Sequence, residues 1–214
     1  MNKFPRSAYV HIPFCHRRCF YCDFAVIPLG NKVETLQGYG SKTVKEYLHF
    51  LYKEILSIKH KSSLSTIYVG GGTPSILDPQ QIKQLIDLFK ENYGVDYGAE
   101  ITMEVDPASF NLDDLHGFIN AGINRFSLGV QSFNNQILQK SGRRHLREDA
   151  EKSCLWLKKV YDAGLIKSWS LDLIQNLPLS GLREWKEDLK KAITFSPPHI
   201  SIYDLNIENG TVFK

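Results

Sequence analysis

The chain has 214 residues and a formal charge of +3, from 26 Lys and Arg against 23 Asp and Glu. This length suits one α/β barrel or two compact domains, and 43% hydrophobic with 23% charged residues excludes collagen-like, low-complexity and wholly disordered chains. So small and dispersed a charge makes no basic patch for nucleic acid or a membrane surface. No apolar run approaches the roughly 20 residues that cross a bilayer, so neither a nucleic-acid partner nor a transmembrane segment is expected.

Residues 8–13 form a short apolar strand, preceded by no signal-peptide pattern, which predicts a cytoplasmic protein. Cys15, Cys19 and Cys22 follow, then a loop over 25–42 that either covers the cysteines or is a variable surface loop. Thr43 with Glu46 predicts a capping box for a helix presenting Val44, Leu48, Leu51, Ile55 and Ile58 on one face. After a strand at 66–69, Asp78, Pro79 and Gln81 start a second helix through Ile82, Leu85, Ile86 and Phe89. A strand at 100–105 leads to a helix from Asn111 through Leu115, Phe118 and Ile119 that stops at Gly122. A strand at 125–130 precedes a helix striped by Ala150, Cys154, Leu157 and Tyr161 and stopped by Gly164. A strand at 168–174, a helix from Leu182 through Trp185 and Leu189 closed by Pro197 and Pro198, and a strand at 199–205 complete the chain.

The strands read mostly as apolar on both sides, as buried parallel strands do. Six strands alternating with five helices predict an α/β fold, a (βα)6 partial TIM-type barrel of parallel strands with outer helices. Residues 1–214 then form one domain, with functional residues at the C-terminal ends of the strands.

Four cysteines could make two disulfides, but three crowd into one segment while Cys154 lies far away, a layout that favours a metal. Three thiolates at C-x-x-x-C-x-x-C spacing can hold three irons of a 4Fe-4S cluster and leave the fourth open. A zinc site completed by His11 or His16 is the alternative. Cys154, on the apolar stripe of a helix, reads as a small buried hydrophobe rather than a fourth ligand. Gly70-Gly71-Gly72-Thr73-Pro74 is either a tight turn or a row of amides open to a carboxylate or phosphate. In Glu104-Val-Asp-Pro, Pro107 ends the strand and leaves the carboxylates near the barrel mouth. Arg143 is a solvated charge or a bidentate partner for a carboxylate.

The string Tyr9-Val-His-Ile-Pro-Phe-Cys15 through Tyr21-Cys22-Asp23-Phe24 resembles the radical S-adenosylmethionine (SAM) superfamily. Within it, the string is similar to the oxygen-independent coproporphyrinogen III oxidase family and that family's heme-chaperone branch. The resemblance implies a 4Fe-4S cluster on Cys15, Cys19 and Cys22, with SAM chelating the open iron and cleaved by one electron to a 5'-deoxyadenosyl radical. It implies that Gly71, Gly72 and Thr73 contact the methionine part of SAM and that Glu104 contacts SAM. Gln131 and Arg143 would line the site or its neighbour, Asp172 matches a family aspartate, and Tyr9 and Tyr21 join the cofactor-binding set. Asn176 stands where the family usually has glycine. The segment from His199 through Thr211 resembles the family's sixth strand, so the likeness runs from Ser7 to Phe213.

The oxidase branch carries a further cysteine where this chain has Phe24, and a longer N-terminal extension than the 14 residues before Cys15. Both features point to the chaperone branch, which implies heme bound for delivery to a recipient hemoprotein and an electron donor for the cluster. The alternative is oxidative decarboxylation of coproporphyrinogen III to protoporphyrinogen IX in porphyrin biosynthesis, which would make the protein an oxidoreductase acting on a porphyrinogen. An RNA-modifying radical enzyme would need a basic, aromatic-studded stripe, and the lysines here are scattered. His16, His116 and His145 are candidate heme ligands by chemistry, with a surface histidine as the plain reading of each. The family's C-terminal domain is absent from this sequence, so apolar surface on the sixth strand is expected to be uncovered.

Overall fold

The computed structural model describes residues 4–30, 39–58 and 62–214. Six parallel strands form one sheet: β1 (Ser7–Ile12), β4 (Leu64–Gly71), β5 (Val95–Val105), β6 (Arg125–Gln131), β7 (Ser168–Gln175) and β8 (His199–Asp204), in that spatial order. Two short bridges, β2 (Phe14–Cys15) and β3 (Ile27–Pro28), pair beside it. Six helices connect the array: α1 (Tyr39–Ser57), α2 (Pro79–Asn92), α3 (Leu112–Ala121), α4 (Asn135–Lys140), α5 (Arg147–Asp162) and α6 (Leu182–Thr194). Sequential order with all pairs parallel is the expected (βα)6 arrangement, open between β1 and β8.

The strand faces differ from the sequence reading. One face carries Ile67, Val69, Met103, Phe126, Leu128, Trp169 and Leu171, each no more than 1% exposed and part of the hydrophobic core. Burying each such side chain contributes about 1.5–3 kcal/mol. The alternate residues Tyr68, Thr102, Glu104, Ser127, Ser170 and Asp172 are polar and face the other way, because successive strand side chains point to opposite faces. The strands are therefore apolar on one side only, and the other side is hydrogen-bonded. Ser127 Oγ donates to Asp172 at 2.6 Å and Ser170 Oγ donates to it at 2.8 Å.

Three elements depart from expectation. Helix α1 begins at Tyr39 and ends at Ser57, so Thr43 lies inside it rather than capping it, and Ile58 falls beyond it, 51% exposed. The 25–42 loop is interrupted by β3 and by the start of α1, and its residues 31–38 lie outside the described set. Helix α4 is a sixth helix, capped by the Asn134 side chain, in the connection after β6. The caps at Asp78 and Asn111 form as reciprocal boxes, and Gly122 closes α3 with φ 110°.

No helix among the described residues is long and apolar enough to cross a membrane. On β8 itself, Ile202 is 54% exposed.

Candidate functional site

A cavity of about 450 Å³ opens at the C-terminal ends of the strands, within the range of small-molecule sites. Cys15, Cys19 and Cys22 form one wall, and Tyr21, Gly71, Gly72, Thr73, Glu104, Gln131, Arg143 and Asp172 line the rest. Apolar side chains Phe24, Val26, Ile174 and Leu205 also line it. Tyr9 alone of the expected set stands outside the lining: its ring stacks on Tyr68 at 6.0 Å and its hydroxyl bonds His11 Nδ1 at 3.0 Å.

The cysteine loop is held by one local hydrogen bond and several from distant segments. The Cys22 N–H donates to the Cys19 carbonyl at 3.2 Å, and the Leu29 N–H donates to the Cys15 carbonyl at 2.8 Å. Phe20, between two cysteines, donates its N–H to the Ser141 carbonyl at 3.0 Å and accepts from the Val212 N–H at 2.9 Å. Thr73 Oγ1 donates to Cys15 Sγ at 3.4 Å, and Arg143 Nη1 donates to Cys19 Sγ at 3.5 Å. Burial pushes the Cys15 thiol up to about 11 and raises that of Cys22, so in the absence of a metal both hold their protons at neutral pH. All four cysteines are free thiols. Among the described residues no three Cys, His, Asp or Glu side chains converge on a single ion position. Three thiols on one cavity wall are a donor set that suits a cluster, which takes each thiolate on a different iron. His11 has both ring nitrogens engaged, by Tyr9 and by the Ala25 carbonyl at 3.1 Å, and does not complete a zinc site.

The glycine turn works by close approach. A Cβ on Gly72 would stand 2.6 Å from the Phe14 carbonyl oxygen and 2.9 Å from Cys15 Sγ, and Gly71 adopts φ +119°. The amide row is not open to a ligand's charge. Gly71 N–H donates to Glu104 Oε2 at 3.0 Å, Gly72 N–H to the Ile12 carbonyl at 2.8 Å, and Thr73 N–H to the Phe14 carbonyl at 2.7 Å. Glu104 also accepts from the Tyr68 hydroxyl at 2.8 Å, and burial raises its carboxyl above the usual range.

Gln131 ends β6 with φ 67°, beside a register irregularity between β6 and β7. Its buried Oε1 has no partner among the described residues. A strained backbone that holds an unsatisfied amide against a cavity is suited to a ligand that donates a hydrogen bond. Asn176, in the loop after β7, takes φ 62°, the left-handed region where glycine is usual and asparagine is tolerated, and its amide donates to Asp204 at 2.6 Å. Asparagine here takes the backbone conformation that a glycine would take.

Arg143 is not a solvated charge: its side chain is 10% exposed, and its buried Nε has no partner among the described residues. Its guanidinium pairs with Asp106 and donates to the Gly129 carbonyl at 2.8 Å. The pairing is invisible in sequence, where the two residues are 37 apart. His145 is buried at 1% exposure, with Nε2 on the Val130 carbonyl at 3.0 Å and Nδ1 toward Arg143 at 3.3 Å. It is thereby unavailable as a heme ligand. His116 is exposed on α3, and of the three candidates only His16 lines the cavity. Cys154 is fully buried in the core on α5, its thiol pushed up by burial.

Comparison with known proteins places these features in context. The chain is 41% identical over 210 residues to the heme chaperone HemW of Synechocystis sp., covering 98% of this chain and 49% of that protein. It is 36% identical over 209 residues to the heme chaperone HemW of Escherichia coli, covering 98% of this chain and 53% of that protein. The chain thus spans about half the length of the curated relatives it matches. Among solved structures, coproporphyrinogen III oxidase (HemN) from Escherichia coli, a radical SAM enzyme, superposes with TM-score 0.80 at 32% identity, over 95% of this chain and 44% of that one. Residues 9–173, which hold β1 through most of β7 and every cysteine in the cavity wall, match the Radical SAM superfamily, and the chain belongs to that superfamily.

Proposed function

We propose that this chain is the cofactor-binding part of a heme chaperone of the radical SAM superfamily. Cys15, Cys19 and Cys22 hold a 4Fe-4S cluster. SAM lies across Gly71, Gly72, Thr73, Glu104, Gln131 and Asp172, with Tyr21 and Arg143 on the cluster side and Tyr9 behind Tyr68. The observation that carries the reading is the convergence of the three thiols and the unsatisfied Gln131 amide on one cavity. When bound there, the reduced cluster supplies one electron to the sulfonium of SAM.

The chain's own residues orient and shield. The Gly71–Thr73 turn, its amides already satisfied, offers backbone surface without side-chain obstruction. Asp172, held by Ser127 and Ser170, offers an acceptor whose direction is fixed before a ligand arrives. Phe24, Val26, Ile174 and Leu205 give the cavity apolar lining suited to a tetrapyrrole face. The relatives named heme chaperones support heme as the cargo, and a recipient hemoprotein and an electron donor for the cluster complete the proposal.

Oxidation of coproporphyrinogen III is the second reading, favoured by the structural likeness to HemN and opposed by Phe24 in place of the oxidase branch's additional cysteine. Anaerobic reconstitution with iron and sulfide, followed by addition of heme or of coproporphyrinogen III with SAM and reductant, separates the two. Retained heme with unchanged porphyrinogen mass supports the chaperone reading. Loss of two carboxyl groups from the porphyrinogen replaces it with the oxidase reading.

A further inference from the structure

One charged pair in the cavity wall has a role that the cofactor reading leaves unassigned. Asp106 lies just past β5, and Arg143 in the loop between α4 and α5, with side chains 20% and 10% exposed. Arg143 Nη2 donates to the Asp106 carboxylate and to the Gly129 carbonyl and points at His145 Nδ1, while Nη1 donates to Cys19 Sγ. Asp106 is itself anchored: its N–H donates to Ser75 Oγ at 3.1 Å, and the Ala108 N–H donates to its Oδ1 at 3.2 Å. The carboxylate, the carbonyl and the imidazole all meet Nη2 and anchor that corner of the planar guanidinium, which places Nη1 against the sulfur and leaves the buried Nε without a partner among the described residues. Deleting the carboxylate would leave a buried cation with its main partner gone.

We propose that Asp106 is a positioning residue for the cluster: by holding Arg143 it aims a charge-assisted N–H···S hydrogen bond at Cys19. This reassigns Arg143 from capture of a ligand carboxylate to support of the middle cysteine, and it rests on the reading that the three cysteines hold a cluster. Hydrogen bonds to ligating sulfurs tune a cluster's electronic properties, and groups that orient metal ligands are typically worth about 10- to 100-fold in metal retention.

The test uses wild type, Asp106→Asn, Arg143→Met and the double variant, each reconstituted anaerobically, with metal-free melting curves as the check on folding. Iron release to a chelator and the electron paramagnetic resonance of the reduced cluster are the readouts. Asp106→Asn is expected to load the cluster, release iron about tenfold faster and change the resonance. Arg143→Met should do the same, and the double variant should be no worse than either single one, because both break one chain of contacts. Asp106→Asn protein with wild-type release and resonance overturns the proposal, as does a double variant whose effect is the product of the two. If Asp106→Asn fails to fold, Arg143→Lys is read in its place: it keeps the charge but loses the fork, so about tenfold faster release supports the proposal and wild-type release refutes it. Wild-type protein that takes up no iron and sulfide refutes the reading of the site itself, and the proposal with it.

Discussion

Replacing Gly72 by alanine tests the packing of the glycine turn against the cysteine loop. The added Cβ would meet the Phe14 carbonyl oxygen at 2.6 Å and Cys15 Sγ at 2.9 Å. Ordinary contacts lie near 3.5 Å, so these atoms must retreat by about 0.9 and 0.6 Å respectively. The carbonyl cannot swing aside alone, because the Thr73 N–H donates to it at 2.7 Å and the Gly72 N–H is tied to Ile12 at 2.8 Å. Phe14, fully buried, anchors the same strand in the core. Overpacking of this kind costs about 1–3 kcal/mol, which for a chain of this size lowers Tm by roughly 2–4 °C per kcal/mol. The displaced Cys15 should also reduce bound iron after anaerobic reconstitution. Gly164→Ala is the control: its Cβ would meet nothing within 4 Å, so only the strain of φ +69° is charged, about 1 kcal/mol. A Gly72→Ala protein with wild-type melting and full iron content would refute the claim that close approach demands glycine there.

Buried His145 should make stability depend on pH. Burial, then the Arg143 charge, lower its value from 6.5 to about 4, so the unfolded chain takes the proton first as pH falls. Its contribution is full above the unfolded value and is lost as pH drops from 6.5 toward 4, about 2 kcal/mol between pH 7 and pH 5. Urea unfolding of wild type and His145→Gln across that range should show this difference in slope, and parallel curves would contradict it. Glu104→Gln should weaken SAM binding at least about tenfold by calorimetry and cost about 1–3 kcal/mol, because the new amide faces the Tyr68 hydroxyl and the Gly71 N–H, both donors. Unchanged affinity would remove Glu104 from the binding set. Cys154→Ala should lower stability by about 1–3 kcal/mol while iron content stays at the wild-type level, whereas Cys19→Ser should abolish cluster uptake; iron loss from Cys154→Ala would make Cys154 a ligand rather than packing.

Local chemistry in the sequence was enough to determine the order of the six sheet strands and of five helices between them, the caps at Asp78 and Asn111, the stops at Gly122 and Gly164, and the cysteine triplet. Each depends on residues a few positions apart, whose spacing along the chain is also their spacing in space. The burial of Cys154 was legible for the same reason, from its place on a helical stripe. What lay beyond reach was pairing between distant segments. The start of α1 a turn before Thr43 is a tertiary outcome, since local cap preferences are weak beside packing. The polar inner face of the strands was obscured because Tyr68 and Ser127 reach their partners Glu104 and Asp172 on neighbouring strands only once those strands lie in register. Arg143 reads in sequence as an available cation, and only the fold brings Asp106 to it across 37 residues and aims its other edge at Cys19. The glycine amides read as open donors, yet the approach of β1, β2 and Glu104 consumes them. The residue types at the site follow from the sequence, while their division between holding a ligand and holding one another follows from which distant atoms the sheet places within hydrogen-bond reach.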